Sequence, residues 1–273
     1  LLRIKNREEA FSLVELSIVL VILGLLTGGI LTGQNLIRAA ELRAVVTQYT
    51  TYQTAAQTFR NKYFAIPGDM TNATAFWGDN SSACADAAVA DGTPGTCNGD
   101  GNGRVDVGGN GGETAERFQV WNQLALAGLI EGTYTGVAGS GGGNDHVAGE
   151  NSPAGKVGQS GWGFYYNDVI SGHATYFDGS YGNTLLLGGV SSGSARDNQP
   201  LVSPEEIWGV DKKVDDGMPA TGRLVPRNRM NGCTLRSDGS AMTSDAAGAA
   251  DIGALYNLSD SSVACAFLFK NAL

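Results

Sequence analysis

The chain predicts an α+β fold, a long N-terminal helix packed on a β-rich globular head with Gly-rich loops. Three observations carry this expectation. From Phe11 to Leu31 run 21 residues of which Glu15 is the only charged one, long enough to cross a bilayer core of about 30 Å as a helix. Apolar residues then fall at Leu42, Val45, Tyr49, Tyr52, Ala56, Phe59 and Tyr63, in alternating steps of three and four that place them on one helical face. Beyond Pro67, the first proline, Gly/Ser/Asn/Asp tracts separate short apolar runs, the texture of loop-rich β structure.

The first element resists its ordinary explanations. A secretory signal has a short apolar core followed by a small-residue cleavage site, whereas this run merges into the helical pattern that follows it. A plain membrane anchor accounts for the length and for Arg3, Lys5 and Arg7 on the cytoplasmic side. It gives no reason for Glu15, since a carboxylate inside a span costs roughly 2.5–3.5 kcal/mol and calls for a partner.

Residues Ala10 to Leu31 resemble the processing and assembly signal of type IV prepilins and of the pseudopilins of type II secretion. In that family a short basic leader is cut before a Phe, leaving a mature chain that begins Phe-(Thr/Ser)-Leu-(Ile/Val)-Glu. The matching residues are Phe11, Ser12, Leu13, Val14 and Glu15. The resemblance implies cleavage between Ala10 and Phe11, N-methylation of Phe11, and pairing of Glu15 with the N-terminal ammonium of a neighbouring subunit. A carboxylate in a low-dielectric bundle is a good device for register once it has a cation. Ala10 stands where the family almost always has Gly, and Leu1 in place of Met reads as a fragment or an unusual start codon.

The resemblance makes the fold pilin-like and divides the chain into four parts. Residues 1–10 are the leader, 11–33 the transmembrane or filament-core helix, 34–64 its amphipathic continuation, and 65–273 the head. A helix from Phe11 to Lys62 spans about 78 Å at 1.5 Å per residue. Gly24, Gly28, Gly29 and Gly33 interrupt its apolar half, each costing up to ~1 kcal/mol of helix stability. Thr32 stands where many family members have Pro.

The head is long enough for one sizeable core. The formal charge is −9, with three basic and two acidic residues in the first ten, so the remainder is more acidic still. That argues against non-specific nucleic-acid binding. Residues 113–130 read as a second helix with Phe118, Trp121, Leu124, Ala125 and Leu129 on one face. Residues 136–143 read as a flexible loop. Expected strands are 162–166, 174–177, 184–190 and 222–225, with weaker ones at 253–258 and 263–269.

Four cysteines allow three pairings, and we expect Cys84–Cys97 and Cys233–Cys265 because each closes a moderate loop. The second also resembles the C-terminal disulfide region of type IV pilins. Neither pair has the CxxC spacing of a redox or zinc motif.

One loop has the spacing of a cation site. Asn98, Asp100, Asn102 and Asp106 occupy positions 1, 3, 5 and 9 of a stretch with glycine at position 6, similar to the start of an EF-hand or dockerin calcium loop. Position 12 is Gly109, and the nearest later carboxylate is Glu113. A calcium loop and a solvated Gly/Asn/Asp turn both fit the pattern. The Asp215-Asp216-Gly217 turn is a further candidate for calcium.

An enzyme is not expected. Gly189 to Gly193 matches a nucleophile elbow around Ser191, yet no helical pattern follows, and both histidines, His146 and His173, precede that serine. The resemblance implies instead a structural subunit of an extracellular filament. Its partners are identical subunits, a prepilin peptidase and methylase, and an inner-membrane assembly platform. Its course runs from the bacterial inner membrane to an extracellular or periplasmic fibre. The alternatives are a minor pilin or secretion pseudopilin, and a calcium-dependent adhesin-like module.

Overall fold

The computed structural model describes residues 12–78, 95–106, 116–140, 145–190, 199–227 and 229–273. Helix α1 spans Leu13–Tyr63, and the chain divides into two compact units between Glu41 and Leu42.

The described part of the first unit is helical from Leu13 onward. Its large side chains, among them Leu20, Leu25 and Leu31, stand more than half exposed. Thr27 and Thr32 donate their hydroxyls to the carbonyls of Leu23 and Gly28, each at 2.9 Å. These bonds let two hydroxyls ride in an apolar helix without an unsatisfied donor. Among the described residues α1 is the one helix long and apolar enough to cross a membrane.

In the second unit α1 buries one face, with Val45, Tyr49, Ala55, Ala56 and Phe59 inside. Leu42, Tyr52 and Tyr63, also on the expected stripe, are half-buried. The face packs on a four-stranded antiparallel sheet of order β1-β2-β6-β3. Its strands are β1 (Ser160–Ile170), β2 (Gly179–Gly189), β3 (Leu224–Pro226) and β6 (Phe267–Phe269). β4 (Thr234–Leu235) and β5 (Leu255–Tyr256) form a separate pair.

Period-two alternation splits the four-stranded sheet between two clusters. Trp162, Phe164, Leu185, Leu187, Leu224, Phe267 and Phe269 join the main core with α1. Tyr165, Leu186, Val225 and Leu268 join a second cluster with Tyr176 and Tyr181. Tyr49 stacks on Phe269 with ring centroids 4.0 Å apart. Tyr52 meets Trp121 and Trp162 edge-on at 5.2 and 5.4 Å. The result is the mixed α+β architecture that the sequence predicts.

Among the described residues there are four further α-helices, α2 (Thr74–Trp77), α3 (Glu116–Leu126), α4 (Pro204–Val214) and α5 (Ala246–Ala249), and a π-helical turn at Arg229–Cys233. α3 ends earlier than the expected Ile130, giving way to turns with Gly128 at φ +72°. Residues 174–177 do not form a strand. The Arg229 guanidinium donates to the carbonyls of His173 at 2.7 Å and Tyr176 at 2.8 Å, supplying the partners that a neighbouring strand gives in a ladder. Helix α4 is an addition to the elements expected from the sequence.

Candidate functional site

Two regions hold the residues singled out by sequence. At the N-terminus, Ala10 and Phe11 lie outside the described residues. Glu15 sits in the first turn of α1, and its Oε2 accepts a hydrogen bond from the Ser12 backbone N–H at 3.0 Å. The Ser12 hydroxyl in turn accepts from the Val14 N–H at 3.3 Å. Ser-x-x-Glu is the spacing of a capping box, so within one chain the carboxylate closes the end of its own helix. The spacing of Ser12 and Glu15 encodes that local role.

In the head, three segments converge on the acidic loop. Asp69 arrives from the turn after α1, Asp100 from the loop itself and Glu116 from the first turn of α3; one carboxylate oxygen of each lies within 4.8 Å of the others. Asp69 Oδ1 accepts from the N–H groups of Gly101 (2.6 Å) and Asn102 (3.1 Å), and Oδ2 from Gly103 (2.8 Å). Glu116 accepts from the N–H groups of Asp100 (3.1 Å) and Asp106 (2.8 Å). The loop is thus wrapped around two carboxylates that come from outside it.

The glycines here have steric reasons. A Cβ on Gly99 would collide with the Asp69 backbone. Gly68 has φ +90°, and a Cβ there would lie 2.5 Å from the Glu116 carbonyl oxygen, so only glycine fits this approach of two segments.

Of the four expected oxygen donors, Asp100 lies in the three-carboxylate group. Asn102 borders it, its Nδ2 donating to Asp100 Oδ2 at 2.9 Å and to Asp106 Oδ2 at 2.8 Å. Asn98 is turned away, its Oδ1 accepting from the Thr74 N–H at 2.9 Å. Asp69 and Glu116 join the group without having been expected from the loop's spacing, although Pro67-Gly68-Asp69 is a conspicuous turn; Glu113 lies outside the described residues.

Crowding these acids has an electrostatic cost. Burial pushes the Glu116 carboxyl up to about 7 against the pull of its two N–H donors, with the nearby Asp69 and Asp100 adding to the rise. Asp69 is also raised, first by burial, with its N–H bonds opposing and Asp100 adding. A hard cation placed among the three would relieve the repulsion, and all-oxygen donors suit calcium or magnesium rather than softer metals.

The remaining named residues are covalent or lie elsewhere. Cys233 and Cys265 form a disulfide. Cys97 is buried and disulfide-bonded, while Cys84 lies outside the described residues, as does Ser191.

Residues 5–31 match the family model of the prokaryotic N-terminal methylation motif. Comparison with curated proteins and with solved structures gives no match.

Proposed function

We propose, because residues 5–31 carry the processing signal of type IV pilins and pseudopilins, that this protein is a structural subunit of a type IV pilus-like extracellular filament. The signal implies processing by a prepilin peptidase and pilus-type assembly. In this reading the peptidase removes the first ten residues and Phe11 is N-methylated. The apolar half of α1 leaves the inner membrane to join the bundled helices of identical subunits. Glu15 then exchanges its Ser12 N–H for the Phe11 ammonium of a neighbour, and the heads form the outer surface. The role is structural, with no catalytic residue in it.

The single observation behind the proposal is the methylation motif placed at the start of a helix whose first half, up to Ile37, leaves its large apolar side chains exposed. Expression of the full chain in a piliated host, followed by intact-mass measurement of sheared filaments, tests it. The expected species lacks the first ten residues and carries one added methyl group. Assembled chains that retain Leu1, or filaments that never contain the chain, would sink the proposal.

A second reading takes the head as a calcium-dependent binding module on a minor subunit. The meeting of Asp69, Asp100 and Glu116 favours it. Abundance separates the two, because a main subunit dominates the sheared fraction and a minor one is present in traces. A calcium-independent melting temperature for the wild type and for Glu116→Gln would remove this second reading.

A further inference from the structure

We propose that Asp211, Asp215 and Asp216 form a calcium site at the C-terminal end of α4. One carboxylate oxygen from each lies within 4.8 Å of the other two. Asp211 is fully buried; its Oδ2 accepts from the Tyr256 hydroxyl at 2.9 Å, while its Oδ1 is buried with no hydrogen-bond partner. A buried acceptor left in this state is costly and rare. The Gly217 N–H also interacts with this carboxylate, and at Oδ1 no donor reaches hydrogen-bond geometry.

The surrounding loop has the build of a holder. Asp215 accepts from the N–H groups of Arg223 and Leu224. Asp216 accepts from the Met218 N–H at 2.9 Å and from the Thr221 hydroxyl at 2.6 Å. These donors fix the two outer carboxylates beside the inner one. Gly222 has φ +64°, and a Cβ there would strike the Asp215 carboxylate, so the loop closes tightly over the acid. The negative end of the α4 dipole points the same way, toward a cation.

The lysines nearby make no ion pair with the group, although Lys270 interacts electrostatically with Asp215 and Asp216. The Lys212 ammonium lies over the Trp208 ring at 4.1 Å and that of Lys270 over the Tyr181 ring at 5.4 Å. Among the described residues no ion pair reaches any of the three aspartates. Oxygen-only donors in an irregular loop favour calcium, which takes six to eight oxygens in flexible geometry, over magnesium, which demands a near-ideal octahedron. Asp216 is exposed, leaving room for water ligands. This site shares no residue with the Asp69 group and does not depend on the calcium reading given for it.

Calcium chloride titration of the full chain in detergent micelles, by calorimetry after chelator treatment, tests the site. The expected result is that Asp216→Asn lowers the number of calcium ions bound per chain by one, whatever the Asp69 group binds. Asp211→Asn does the same, and both variants melt in chelator at or above the wild-type temperature. Glu116→Gln retains this ion, and magnesium at equal concentration does not replace it. Wild-type stoichiometry and affinity in Asp216→Asn, or equal replacement by magnesium, would overturn the proposal; should Asp211→Asn fail to fold, the exposed Asp216 carries the test alone.

Discussion

Glu15 has one partner in the single chain and, on the filament reading, a second in the fibre. In the single chain its carboxylate accepts the Ser12 N–H, a contact at a helix end whose loss costs about 1 kcal/mol. Within a bilayer the same carboxylate opposes insertion by roughly 2.5–3.5 kcal/mol. Glu15→Val therefore leaves membrane insertion intact or improved, and on the filament reading removes the chain from the fibre. Immunoblots of membrane and sheared fractions should show the variant in the first and at least tenfold depleted in the second. Equal incorporation would mean that Glu15 acts only as a cap. At this scale the processing segment is legible in the sequence because its meaning is local: Phe11, Ser12 and Glu15 fall within five consecutive residues. Asp69 and Glu116 are not, since what brings them to Asp100 is a tertiary meeting of segments 31 and 16 residues away.

Among the elements, α4 is the instructive omission. Ser203 is its N-cap, its hydroxyl accepting from the Glu206 N–H at 3.4 Å while the Glu206 carboxylate accepts from the Ser203 N–H at 2.8 Å. Pro204 occupies the first turn, and Lys212 and Lys213 the last. Ser-Pro-Glu-Glu is thus a complete start signal, written in the sequence itself, and the buried Ile207 and Val210 supply the face. Ser203→Ala should cost about 1 kcal/mol, read as a lower urea midpoint with an unchanged slope. Residues 174–177 err in the opposite direction. Tyr176 and Phe177 alternate like a strand, but they enter two different clusters; the Tyr176 carbonyl accepts from Arg229, over 50 residues away, and the Phe177 carbonyl from the Tyr181 hydroxyl. No local pattern announces a side chain standing in for a strand.

For the molecule as a whole, the disulfide constrains the head where regular structure is sparse. Cys233 and Cys265 lie 32 residues apart, and Cys265 also exchanges backbone hydrogen bonds with Leu201 and Val202 at 2.7 and 3.0 Å. Closing a loop of that size is worth ~2–4 kcal/mol. Cys233→Ser with Cys265→Ser should lower the unfolding free energy by that amount in urea melts, and added reductant should lower it at least as far in the wild type, since the Cys97 disulfide is lost as well. The α+β class is legible because helix and strand periodicities survive averaging along the chain. The strand order is not, because β1-β2-β6-β3 depends on which distant runs meet.

That order sets a timetable. Among the described residues β6 is the strand that links β2 to β3, pairing Leu187 with Phe267 on one side and Leu224 with Phe269 on the other. Phe269 is also the ring on which Tyr49 of α1 stacks. A ribosome or a translocation channel that has delivered everything through β3 has therefore delivered a sheet with a gap in its middle. Until residues 267–269 emerge, the hairpin of β1 and β2 can form and Tyr52 of α1 can meet Trp121 and Trp162, but β3 lacks its β6 partner and Tyr49 lacks the Phe269 ring. Late insertion of a central strand ties final closure to contacts more than 200 residues apart, the arrangement that makes folding slow. The head closes its sheet only when the last residues of the chain have been delivered.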